Sequence, residues 1–306
     1  MWKNFKYNAL VFLLKALACL PSGILYFLSD IAYFFIYHVV RYRRGTVGHN
    51  LSLVFGSGSG EKIKAIEKEF YRHMCDCIAE TVKLLHISDE EIDRRVDVTN
   101  GEYIDSIIRS GHSVVLFLGH YGNWEWVQAI IRHFSEPLVG GQIYKPLHSE
   151  TMDRIMLKIR SRFGLECIPQ DKAVRRLIGI ERSGQKFVIG FISDQRPSGN
   201  NLHHWTDFLG QDTPYVVGGE TIGNHVGAEF VYLDVEKTSR GHYRLTFCPM
   251  EPDPDDKEPY PYTREFMKML EKTIRREPAY WLWSHRRWKR QRHADRHARK
   301  PGAAVS

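Results

Sequence analysis

The run Val114-Val-Leu-Phe-Leu118, apolar throughout and followed at once by glycine, limits what this chain can fold into more than any other feature. It is short and rich in β-branched residues, so it reads as a strand, and apolar side chains on both of its faces mean burial on both sides. Strands of that kind belong to sheets covered by helices. Phe187-Val-Ile-Gly-Phe-Ile192 is a second such run, and residues 138–144 form a third. Helical patterns fill the intervals at 100–110, 149–163 and 172–182, with Ser149 as a cap. An amphipathic helix at 61–86 precedes them, behind a Gly/Ser connector at 56–60. Residues 228–235 and 242–248 alternate as later strands, and 262–276 reads as a closing helix. The alternation predicts an α/β fold with a mainly parallel or mixed central sheet covered by helices. No internal repeat is visible.

In sheets of this class the carboxyl ends of the strands build the site. The first run ends in Gly119-His-Tyr-Gly-Asn-Trp-Glu125, where Gly119 and Gly122 allow a sharp turn and Asn123 suits a helix N-cap. Residues 124–134 then read as helix, with Glu125 in the first turn, where the macrodipole favours a carboxylate. His120 can fold back so that Glu125 holds one imidazole nitrogen and the other takes a proton. Imidazole suits such work because its ordinary pKa is about 6.5. The backbone N–H groups near Gly122 and Asn123 are candidates for stabilising an oxyanion. The same His and Glu also fit an ordinary helix cap, and spacing marks no third ligand for a metal. Asp194 and Arg196 follow the strand at Phe187–Ile192 and emerge at the same edge. Tyr144 and Lys145 end the 138–144 strand, and Arg160 on the next helix can reach that edge. Their ordinary alternatives are a turn cap for Asp194 and a solvated helix charge for Arg160.

At 306 residues the chain can bury a large core. Its formal charge of +7 sits at the ends. Residues 285–300 carry eight Lys/Arg and one Asp, and residues 1–45 carry six Lys/Arg and one Asp, which suits an anionic surface, a phosphorylated substrate or an acidic protein. Five scattered cysteines argue against a disulfide framework and for a reducing compartment; Cys75 and Cys77 read as packing residues. Residues 9–40 are apolar but broken by Lys15, Pro21 and Asp30, which predicts a membrane-associated helix or helical hairpin. Tyr26, Tyr33 and Tyr37 suit the lipid boundary, and Arg41 to Arg44 the head groups on the cytoplasmic side. The expected organisation is a membrane-associated segment at 1–45, an enzymatic domain at 46–289 and a basic, flexible tail at 290–306.

With His120, Glu125, Arg160 and Asp194 in order, the chain resembles the late lipid A acyltransferases of the lysophospholipid acyltransferase superfamily. The histidine, four residues, then an acid match His120 and Glu125. The aromatic-basic-proline segment matches Tyr144-Lys145-Pro146, the helix arginine Arg160, and the strand-ending aspartate Asp194. The closing signature appears as Tyr280-Trp-Leu-Trp-Ser-His-Arg-Arg-Trp-Lys289. The resemblance implies O-acyl transfer from acyl-carrier protein or acyl-CoA to a hydroxyl of a lipid A precursor, at the cytoplasmic face of the bacterial inner membrane. It implies His120 as general base, Glu125 orienting and stabilising its imidazole, and no metal, cofactor or nucleic acid. Arg160, Asp194, Tyr144, Lys145, Asn123 and Arg196 would meet the substrates, Arg160 through an anionic group. The basic tail would receive the carrier protein or the lipid's phosphates. Lys145 departs from the usual arginine and loses a bidentate fork. That, with the aromatic-rich turn, leaves room for another lyso-, glyco- or aminoacyl lipid acceptor. A thioesterase or lipid hydrolase is the other alternative.

Overall fold

The computed structural model describes residues 2–56, 58, 60–197 and 202–289, with side chains from residue 6 onward. Helices α1 (Trp2–Ala18) and α2 (Ser22–Phe34) come first, and α2 runs on as a π-helical stretch, Phe35–Val40. Left-handed backbone at Arg41 and Arg43 turns the chain into α3 (Arg44–Phe55). The long α4 (Gly60–Lys83), α5 (Asp89–Arg95), strand β1 (Val96–Thr99) and α6 (Gly101–Arg109) follow. Next come β2 (Val114–Leu118), the 3-10 helix Trp126–His133, β3 (Val139–Tyr144), α7 (Glu150–Arg160), β4 (Glu166–Pro169) and α8 (Ala173–Arg182). β5 (Phe187–Ile192) precedes a small hairpin of β6 (Trp205–Phe208) and β7 (Gln211–Pro214). Then come α9 (Gly218–Val226), β8 (Glu229–Ser239), β9 (His242–Pro249), α10 (Pro261–Arg276) and a 3-10 turn, Pro278–Tyr280.

Seven strands form one mixed sheet in the order β1-β9-β8-β2-β5-β3-β4. All neighbours are parallel except β8 and β9, which are joined through Arg240 and Gly241, too short a link for a parallel crossover. β2 lies in the middle with all five side chains buried, flanked by β8 and β5. An apolar strand covered on both faces belongs at this central position.

Several elements differ from the sequence reading. The helix expected over 124–134 forms as a 3-10 helix, because its start is set by the turn that precedes it rather than by a free helix terminus. The helix expected to reach residue 86 stops at Lys83, where tighter bonds from Leu85 to Val82 and from His86 to Lys83 end it. α3 was not legible: Gly45, Gly48 and Asn50 are poor helix formers, and tertiary bonds hold it, Asn50 donating to the carbonyls of Trp283 and His285 at 2.8 Å each. β1 and β4 have four residues each and carry little pattern. Gly56 caps α3 with φ +78°, but two residues of the expected connector and the whole 290–306 tail lie outside the described residues.

Helix α2 rests on the body of the protein. Ser29 donates to Asp76 of α4 (2.7 Å), Tyr26 donates to Glu80 (3.0 Å), and Arg240 bridges Asp30 and Asp76.

The turn after β2 is fixed by Gly122, whose φ is +57° and whose N–H donates to the Tyr280 carbonyl (3.0 Å). A Cβ there would lie 2.7 Å from Val235 Cγ1, inside contact distance. Gly122→Ala is therefore expected to destabilise the fold by about 1–3 kcal/mol, read as a lower urea midpoint. A wild-type midpoint would show that the turn relaxes freely.

Candidate active site

The register of the central strands sets Leu118 opposite Ile192. Two residues further on, His120 and Asp194 leave the same edge side by side. His120 Nδ1 lies 2.6 Å from Asp194 Oδ1, and the His120 backbone N–H donates to Oδ2 at 3.0 Å. The indole N–H of Trp281 donates to the same Oδ2 at 2.8 Å. Asp194 is 1% exposed while the His120 side chain is 19% exposed, so the carboxylate is sealed and the imidazole is reachable. Burial by itself raises the Asp194 carboxyl pKa. The His120 charge and the bonds from His120 and Trp281 outweigh burial and hold it at about 2. A carboxylate only accepts, so Nδ1 donates its proton to Asp194, and in the neutral form of the ring Nε2 is the acceptor. The Gln195 amide sits 3.2 Å from that Nε2, and the Trp124 ring stands edge-on to the imidazole at 5.3 Å.

Glu125 does not touch the imidazole, contrary to the sequence expectation. Asp194 already occupies Nδ1, and Glu125 lies past the turn, facing α7. There Arg160 closes a two-pronged bond on it, Nε to Oε2 at 2.9 Å and Nη2 to Oε1 at 2.5 Å. Burial lowers the Arg160 pKa, but the Glu125 bond and charge more than reverse this and raise it. Glu125 thus takes the Nε and Nη2 donors of Arg160, while the sequence reading placed an anionic substrate group there.

Asn123 is also corrected as a substrate contact. It is buried, its Oδ1 accepts from the N–H groups of Glu125 and Trp126 at 3.2 Å, and its Nδ2 donates to Glu80 at 2.6 Å. The Gly122 N–H, a candidate oxyanion donor, is taken by Tyr280. Tyr144 and Lys145 do reach the same sheet edge. They lie across β5 from His120, about 10 Å away by strand spacing, and Tyr144 feels the Arg160 charge. Arg196 stands behind Asp194, its backbone N–H donating to His285 Nε2 at 3.4 Å. Arg287, from the closing signature, is 1% exposed and donates to the Pro214 carbonyl, so it offers no surface to a partner. Burial lowers its pKa to about 10, which leaves it charged near neutral pH. His285 beside it is pushed down to about 4 by burial and by that cation.

A model of the bacterial lipid A biosynthesis acyltransferases matches residues 2–290. The chain belongs to that family. An Escherichia coli K12 lipid A biosynthesis palmitoleoyltransferase is 23% identical over 250 residues, 81% of this chain and 79% of that protein. A Shigella flexneri lipid A biosynthesis acyltransferase matches to the same extent.

In this acyltransferase an apolar pocket is lined by Leu118, Trp124, Val127, Ile131, Leu165 and Ile192, and Trp124, which also stands edge-on to the His120 ring, joins it to the imidazole. Trp281 and Gln195 escaped the sequence reading. Trp281 lay in the noted closing signature, but nothing in that pattern ties its indole to Asp194. Gln195 directly follows Asp194, and only the register brings it to the imidazole.

Because the Asp194 carboxyl is depressed from 3.8 to about 2, its stabilisation is present above about pH 4 and disappears as the pH falls through about 2. The shift corresponds to something on the order of 2 kcal/mol. Urea unfolding of wild type and Asp194→Asn should show a stability gap that is constant near neutrality and closes between about pH 4 and pH 2. A gap that persists at the acid end would contradict this account.

Proposed function

We propose that this acyltransferase moves a fatty acyl chain from a thioester donor, acyl-carrier protein or acyl-CoA, to a hydroxyl of a lipid A precursor. His120 is the general base and Asp194 its positioning partner. The observation that carries this reading is a reachable imidazole whose Nδ1 is locked by a sealed carboxylate, beside an apolar pocket. The names of the relatives support the acceptor, and the palmitoleoyltransferase supports a fatty acyl donor.

The acceptor hydroxyl replaces the Gln195 amide at Nε2. Its proton passes to Nε2 while its oxygen attacks the thioester carbonyl carbon, and the acyl chain lies in the apolar pocket. The tetrahedral intermediate expels the thiolate as the C–S bond breaks, and the imidazolium returns the proton to sulfur. Asp194 fixes the tautomer and stabilises the imidazolium between these steps, as the buried acid of a catalytic triad does. Glu125 and Arg160 fasten α7 to the turn and so hold one wall of the pocket.

The membrane side of the proposal rests on α2 and its π-helical extension. Ser22–Val40 is long and apolar enough to cross a bilayer, with a mean hydropathy of 1.5. Its polar stripe, however, is committed to the body of the protein: Tyr26 to Glu80, Ser29 to Asp76, Asp30 to Arg240. Phe27, Ile31, Phe34, Phe35 and Val39 point outward and are exposed. A helix bound along one face and apolar along the other lies in the interface plane, with Arg41 and Arg43 among cytoplasmic-side head groups.

His120→Ala should lower turnover by about two orders of magnitude or more with an unchanged circular dichroism spectrum. Wild-type turnover in that variant sinks the assignment. Thioester cleavage that does not depend on added lipid acceptor would move the reading to a thioesterase. Replacing Phe27, Ile31 and Phe35 together by Ser should weaken binding to anionic vesicles by about tenfold or more. Equal binding would remove the in-plane dock.

A further inference from the structure

We propose that Glu80 is a positioning residue of this site, locking the Asn123 amide and through it the turn that carries His120; the proposal rests on His120 being the base. Glu80 is on α4, is 3% exposed, and forms no ion pair among the described residues. Its carboxylate is held by neutral donors. Tyr26 OH donates to Oε1 at 3.0 Å, while Asn123 Nδ2 and Tyr243 OH donate to Oε2 at 2.6 and 2.8 Å. Burial raises its pKa and those donors partly restore it. A buried carboxylate without a cation is costly to keep, so its geometry calls for a reason.

The reason lies in what an amide can do. The two ends of an asparagine side chain have nearly the same shape, and only their partners decide which end faces where. Glu80 Oε2 takes the NH2 end of the Asn123 amide beside the Tyr243 hydroxyl. The Asn123 oxygen then faces the opposite way, where it collects the N–H groups of Glu125 and Trp126. α4 grips the turn at further points. The Trp126 indole donates to the Glu80 carbonyl at 2.9 Å, and His73 Nε2 lies 3.2 Å from the Gly122 carbonyl. His120 is thus held from the sheet side by Asp194 and from the helix side by Glu80 acting through Asn123. Tyr26 comes from α2, so the same carboxylate also joins the apolar-faced helix to the turn.

The test uses the full chain, with kcat and KM measured for an acyl thioester and a lipid A precursor. Glu80→Gln keeps the shape but puts either a weaker neutral acceptor or an opposing NH2 against the Asn123 and Tyr243 donors, so the lock is weakened. It should lower kcat by about tenfold or more, with KM within about twofold, since binding is untouched and orientation is not. Asn123→Ala should lose about as much, and the double variant should be no worse than about twofold below Asn123→Ala alone, because both act through one link. A folded Glu80→Gln enzyme with wild-type kcat, or losses that multiply in the double variant, overturns the proposal. Should Glu80→Gln not fold, Tyr26→Phe/Tyr243→Phe leaves Glu80 in place with fewer donors. That variant should lose at least about threefold in kcat, and wild-type kcat there overturns the proposal equally. An active His120→Ala enzyme would defeat the base assignment itself. An inactive His120→Ala beside a fully active Glu80→Gln would defeat this inference alone.

Discussion

The carboxylate of Asp194 is the point on which the arrangement turns. It receives the imidazole and backbone N–H of His120 and the indole of Trp281. Those donors come from the end of β2 and from the segment after α10, and Asp194 itself ends β5. One buried anion therefore decides the tautomer of His120, the course of the turn and the docking of the closing segment. Buried charges are tolerated only where they are fully bonded, and this one has a donor for each oxygen. Arg287, buried and charged close behind it, adds to the same balance.

Much of the framework was legible because it follows from short-range pattern. β2 and β5 are apolar runs of strand length bounded by breakers, and both lie where such runs must lie, inside a covered sheet. α10 and α8 show their periodicity plainly. The site was legible to the level of its sheet edge: His120 and Asp194 were both placed there because strand ends meet there. Which acid would hold the imidazole was not legible. Glu125 is five residues from His120 and Asp194 is 74, and local reasoning favours the near one. Strand register, a long-range property, chose the far one.

Glu80 shows a second limit of pattern reading. On an amphipathic helix a glutamate reads as a solvated residue, and nothing in 61–86 marks this one as buried. Its role depends on Tyr243 in β9 and Asn123 beyond β2, residues far apart in sequence that only the sheet order brings together. The apolar character of the N-terminal stretch was legible, and Phe27, Ile31, Phe34, Phe35 and Val39 are indeed exposed. That it also carries a polar stripe fitted to α4 could be read only once Asp76 and Glu80 were seen opposite it.

The closing segment at 280–288 lies after every strand in the sequence, yet it bonds to the turn through Tyr280, pairs Tyr121 with Trp281 and seals Asp194. Chains emerge from the ribosome amino-terminus first, at about 5–20 residues per second. The amino-terminal helices are therefore made early and the piece that finishes the imidazole's surroundings is made late. The exposed apolar face of α2 is thus in place while the chain still lacks a working centre, for the time needed to translate everything between α2 and Trp281.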